Sequence, residues 1–175
     1  MHFQLAEHVG KPSVNYPMSN NRWLYARRNE SMTIPAGGAA TYEVSESFDR
    51  IAGYAAQALQ IPPEEIAALE LRSANVHMHA IGASGKTSLL HATGRKETLL
   101  SIPRWDLDWQ RDFLLRERKI IPRDDFERAR LAVECTFANP TAETVFGGYG
   151  SDDEMCFNFS YVSVIREGES LAGVD

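Results

Sequence analysis

Short runs of alternating apolar and polar residues recur along this chain. Thr41-Tyr42-Glu43-Val44-Ser45 alternates, as do Leu131-Ala132-Val133-Glu134-Cys135-Thr136-Phe137 and Met155-Cys156-Phe157-Asn158-Phe159, the last continuing to Val164. A period of two is the signature of a strand with one buried face. Met32–Gly38 reads as a strand entering a turn, and Leu69–Ile81 as a longer strand. Ser88–Ala92 and Glu97–Ile102 flank Thr93-Gly94-Arg95-Lys96, the pattern of a hairpin. Trp105-Asp106-Leu107-Asp108-Trp109-Gln110 alternates apolar with polar and predicts a half-buried edge strand. Helical signals are few. Ile61–Leu69 opens with two prolines and two glutamates, which suits a short helix, and Pro122-Arg123-Asp124-Asp125 suits a helical turn. Gly147–Asp153 is a loop, and residues 1–30 read as irregular.

Many short strands punctuated by Gly and Pro predict an all-β, antiparallel β-sandwich of the jelly-roll type with one or two short helices. The expected organisation is an irregular segment over 1–30, one domain over 31–168 and a tail over 169–175.

The 175 residues fit one domain, and an apolar fraction of 43% is enough for a core. A net charge of -6, with no basic stripe, argues against a nucleic-acid partner. No window has the length of apolar sequence that a membrane span needs. The N-terminus lacks the basic and apolar regions of a signal peptide. Cys135 and Cys156 are the two cysteines. By spacing alone they are a disulfide, two core thiols or half of a metal site. A bridge would close a loop of about 20 residues, worth roughly 3 kcal/mol. It would place the protein in a secreted or periplasmic setting.

His77 and His79 carry the most specific chemistry. On an extended strand, His-x-His presents both imidazoles on one face. Together with the thioether of Met155 they would form a soft three-ligand site with room for a fourth, exchangeable ligand, which suits copper. Met78 should face the opposite way, into the core. His91 reads as a strand residue. Asp152, Asp153 and Glu154 lack the spacing of a calcium loop and read as turn formers. Trp105 and Trp109 could stack a sugar, although an edge strand is the commoner use of such a pair. Asp106 and Asp108 stand too close together to flank a glycosidic bond.

Three strings occur in a telling order: Asn75-Val76-His77-Met78-His79, then Trp105-Asp106-Leu107-Asp108-Trp109-Gln110, then Gly147–Cys156 with its Asp-Glu-Met-Cys ending. In this the chain resembles the copper type II, ascorbate-dependent monooxygenases, relatives of peptidylglycine α-hydroxylating monooxygenase and dopamine β-monooxygenase. The Trp-Asp-x-Asp-Trp-Gln string looks most like bacterial members. The resemblance covers roughly residues 32–165 and corresponds to the C-terminal of the family's two catalytic domains. It implies an eight-stranded jelly roll, one copper ion held by His77, His79 and Met155 as both metal and catalytic residues, and a Cys135–Cys156 disulfide. It implies hydroxylation of a C–H bond with O2, with ascorbate or another reductant as electron donor. Family members carry a second copper in a separate domain, so a second copper domain or a partner chain is expected. His2, before Phe3, is similar to a copper-binding segment at the end of that other domain.

Peptide-amidating members bind a substrate carboxylate through an Arg before the His pair and an Asn and a Tyr after the Met. Here those positions are Asn75, Phe157 and Phe159. The resemblance therefore implies a neutral or apolar small substrate. The alternative is a non-catalytic copper-binding or interaction module on the same fold.

Overall fold

The computed structural model describes residues 11–25 and 31–169. His2 and His8 lie outside the described residues. Two four-stranded antiparallel sheets face each other, giving the expected all-β sandwich. One holds β1 (Ser13–Met18), β10 (Asn158–Arg166), β4 (Ile66–Ala74) and β7 (Phe113–Pro122), in that spatial order. The other holds β3 (Ala39–Ser47), β8 (Arg130–Ala138), β5 (Gly82–Leu90) and β6 (Lys96–Ile102). A two-stranded ribbon pairs β2 (Thr33–Ile34) with β9 (Val145–Phe146). The core lies between the sheets and includes Met32, Ile34, Leu69, Leu71, Met78, Leu131, Val133 and Phe137. Apolar burial between two sheets is the main source of stability in such a fold.

Several elements differ from the sequence expectations. Residues 13–18, read as irregular, form edge strand β1, whose Val14, Tyr16 and Met18 alternate inward. Its Pro17 offers no N–H, and an edge position, bonded to one neighbour only, tolerates that. A short helix α1 (Asn21–Tyr25) follows.

Ile61–Leu69 is not a helix. A 3-10 turn over Pro63–Glu65 gives way at once to β4. Pairing on both sides, with β10 and β7, outweighs the helical preference of the glutamates. The longest helix among the described residues is α2 (Phe48–Leu59), which the strand-based reading passed over. Its signals are local: Ser47 accepts the N–H of Arg50 as N-cap, and Phe48, Ile51, Ala52, Ala55 and Ala56 fall on one buried face. The Trp105–Gln110 run is also not a strand. It folds into a 3-10 turn over Leu107–Trp109, because the Asp106 side chain caps it by accepting the N–H of Asp108 at 3.0 Å.

Candidate metal centre

β4 ends at Ala74, so His77 and His79 do not sit on a continuous strand as expected. They lie on the connection between β4 and β5. A single antiparallel bridge keeps that connection extended: His77 and Phe157 exchange N–H to O bonds of 2.9 and 3.0 Å. The period of two therefore survives. Val76 and Met78 are buried, while His77 and His79 are half-buried on the other side. The two imidazole rings stand edge to face with centroids 5.3 Å apart.

Each ring is fixed through its Nδ1. The Nδ1–H of His79 donates to the carbonyl of Asp153 at 2.8 Å. The Nδ1–H of His77 donates to Oε1 of Gln110. A neutral imidazole that donates from Nδ1 keeps its lone pair on Nε2. Burial pushes the pKa of His77 down, against the opposing bond from Gln110, and the neighbouring His79 lowers it further. That favours the neutral form that a metal requires.

Glu154 ties the histidine segment to the Met155 segment. It is almost fully buried, and its Oε2 accepts the N–H of His79 at 2.7 Å and that of Met155 at 3.3 Å. Its Oε1 accepts the N–H of Ile81 at 2.7 Å. The main chains of His79 and Met155 thus meet at one carboxylate oxygen. Burial pushes the Glu154 pKa up, while these backbone donors pull it down. As expected for turn formers, Asp153 also closes its own loop, its Oδ2 accepting the N–H of Gly150 at 3.0 Å. Met155 itself is buried at 8% exposure.

Cys156, the next residue, is disulfide-bonded to Cys135 on β8. The bridge ties the segment that leads into β10, immediately beside Met155, to the opposite sheet. Of the three readings the sequence left open for these cysteines, the disulfide is the one formed.

The residues expected in a substrate pocket divide in two. Phe157 and Phe159 are half-buried, stacked at 3° with centroids 5.4 Å apart, and both stand nearly perpendicular to the His77 ring, at 6.1 and 5.8 Å. Asn75 is buried and tied into the sheet, donating from its main chain to Oδ1 of Asn158 at 3.2 Å. Its Nδ2 reaches Oδ1 of Asp112 at 3.4 Å, and its Oδ1 has no hydrogen-bond partner among the described residues.

Trp105 is buried rather than half-exposed, and its Nε1–H donates to the carbonyl of His79 at 3.0 Å. His91, just beyond the end of β5, is bonded to Glu97 at 2.8 Å. Sequence reasoning missed Gln110, Trp105 and Glu154 as neighbours of the histidines. The first two were visible only as members of the Trp-Asp-x-Asp-Trp-Gln string.

The donor set fits copper. Two imidazoles that each donate from Nδ1 leave Nε2 as the atom for a metal, and imidazole is an ordinary copper ligand.

Residues 29–165 match the family model for the copper type II ascorbate-dependent monooxygenase C-terminal domain. No curated protein matches the chain. Among solved structures, one similar chain belongs to the structure of infectious bursal disease virus Gt strain. It shares 12% identity at a TM-score of 0.23, over 93% of this chain and 32% of that one, a likeness too low to bear on function.

Proposed function

Because the chain belongs to the copper type II ascorbate-dependent monooxygenase family, through its C-terminal domain, we propose that His77, His79 and Met155 hold one copper ion at which a C–H bond is hydroxylated with O2. The observation that carries the reading is the histidine pair, with both Nδ1 atoms engaged and the Met155 main chain at the same carboxylate as His79. Among the described residues, no third His, Cys, Asp or Glu joins the pair as a metal-holding group. A thioether is therefore the natural third donor, and it favours the reduced ion.

Bound copper would supply the one-electron chemistry that activates O2. The protein's own residues do the rest. Gln110 and the Asp153 carbonyl keep each Nε2 lone pair available and each ring in place. Glu154 fixes the two ligand segments against each other. Phe157 and Phe159 form an apolar wall beside His77, which suits a neutral, apolar small substrate in place of a carboxylate-bearing peptide. Asn75 is a buried amide and cannot supply the charge that an arginine at that position would.

Electrons come from ascorbate or another reductant, relayed through a second copper domain or a partner chain. The Trp-Asp-x-Asp-Trp-Gln string supports a place among bacterial-type members. A disulfide beside the site accords with a secreted or periplasmic setting.

Metal analysis of the purified protein and of His77→Ala tests the site: the wild type should take up one copper and the variant should lose it. Oxygen consumption with ascorbate and excess copper tests the activity. Turnover to a hydroxylated product supports the monooxygenase. Tight copper binding without turnover would instead support a non-catalytic copper-binding module.

A further inference from the structure

The Trp105–Gln110 string is the one sequence motif to which the copper chemistry assigns no role. Its two ends touch different histidines. Trp105 donates from Nε1 to the carbonyl of His79 at 3.0 Å, and Gln110 accepts from the Nδ1–H of His77. The residues between set the span. Asp106 caps the 3-10 turn, and the Gln110 N–H closes it on the Leu107 carbonyl at 3.4 Å.

Trp105 is a fixed anchor. Its main-chain N–H donates to Ala83 at 2.8 Å, and its ring is packed onto Gly82 so tightly that a Cβ there would stand 2.6 Å from ring Cδ1. Glycine at position 82 is what allows that approach. Gln110, in contrast, is half-buried and belongs to no strand. Its side chain would be free to leave were the turn not capped.

We propose that Trp105–Gln110 is a clamp for the two copper-site histidines: Trp105 and Gln110 are positioning residues, the first holding the main chain of His79 and the second fixing the tautomer and orientation of the His77 ring. A side-chain amide oxygen can only accept, so it selects the Nδ1–H tautomer and leaves Nε2 as the ligand atom. Partners of this kind commonly set the orientation and basicity of metal-bound imidazoles. The inference rests on the copper reading of His77 and His79, but its first test needs no metal.

Imidazole nitrogen shifts of 15N-labelled, metal-free protein report the tautomer directly. Wild-type His77 should be the Nδ1–H tautomer. Gln110→Leu should populate the Nε2–H form, and Gln110→Glu, which still accepts, should restore the wild-type state. Competition with a Cu(I) chelator should show Gln110→Leu weakened by about tenfold to a hundredfold, and Gln110→Glu close to wild type. Trp105→Phe keeps the ring packing and loses the single N–H bond. It should weaken copper binding while leaving the His77 tautomer unchanged.

An unchanged His77 tautomer in Gln110→Leu, with wild-type copper affinity, overturns the clamp. The copper reading fails separately, if His77→Ala binds copper as the wild type does. In that case the tautomer measurement still decides whether Gln110 orients His77. Because Gln110 lies outside the core, near-UV circular dichroism of Gln110→Leu should match wild type.

Discussion

His77 and Phe157 exchange both main-chain hydrogen bonds, at 2.9 and 3.0 Å, although neither belongs to a regular strand. This one bridge lays the histidine connection against the segment that carries Met155 and Cys156. It aligns the two pieces of chain that carry the candidate ligands, some 80 residues apart in sequence, and places the Phe157 ring beside His77.

Met155 is the first test of that alignment. Met155→Ile conserves volume, so stability should fall by no more than about 1.5 kcal/mol. Copper-dependent hydroxylation should drop to background, because a branched hydrocarbon offers no donor. Product analysis after incubation with ascorbate and copper measures this, and retained turnover would remove Met155 from the site.

The Cys135–Cys156 bridge should stabilise both the fold and the site. It links residues 21 apart in sequence. In the chain-entropy model that separation corresponds to about 3 kcal/mol. Cys135→Ser with Cys156→Ser should lower Tm by on the order of 10 °C. The double variant should also bind copper more weakly, since the residue after Met155 is no longer anchored to β8. Calorimetry and a copper titration read the two effects independently.

Glu154, itself buried, supplies acceptors to three main-chain donors, those of His79, Ile81 and Met155. Glu154→Ala leaves them unpaired and should cost about 2–5 kcal/mol. Glu154→Gln retains one acceptor oxygen and should lie between the variant and wild type. Urea denaturation gives the order, and an alanine variant as stable as wild type would contradict the role.

Acid sensitivity should trace in part to Glu97. It sits on β6 and reaches Lys119 on β7 at 2.9 Å, joining the edges of the two sheets, with His91 and Arg95 also at its carboxylate. The bonds from Lys119 and then His91 hold its pKa at about 2, below the ordinary 4.5. A carboxyl whose folded pKa is depressed contributes stability above its unfolded pKa and loses it as pH falls towards the folded value. Stability should therefore fall between about pH 4.5 and pH 2. Glu97→Gln should flatten that part of the profile, measured as the urea midpoint against pH.

Much of the fold was legible locally. The strands around Thr41, Cys135 and Phe159 and the β5–β6 hairpin follow from alternation and turn residues, which are properties of neighbouring positions. α2 was equally legible from Ser47 and its apolar spacing, yet a strand-rich chain draws attention away from it. β1 and the start of β4 were not legible, because each depends on pairing with β10 at the far end of the chain.

The sequence by itself determined the sandwich class, the His-x-His periodicity and the candidate ligands His77, His79 and Met155. Those depend on residue type and short-range spacing. Only the tertiary structure decided that the histidines sit on a bridged connection rather than a strand. It likewise decided that Cys135 meets Cys156, that Glu154 joins the segments of His79 and Met155, and that Trp105 and Gln110 face the histidines. Each of these is a hydrogen bond or covalent link between residues distant in sequence, formed only once the sheets have fixed their relative positions.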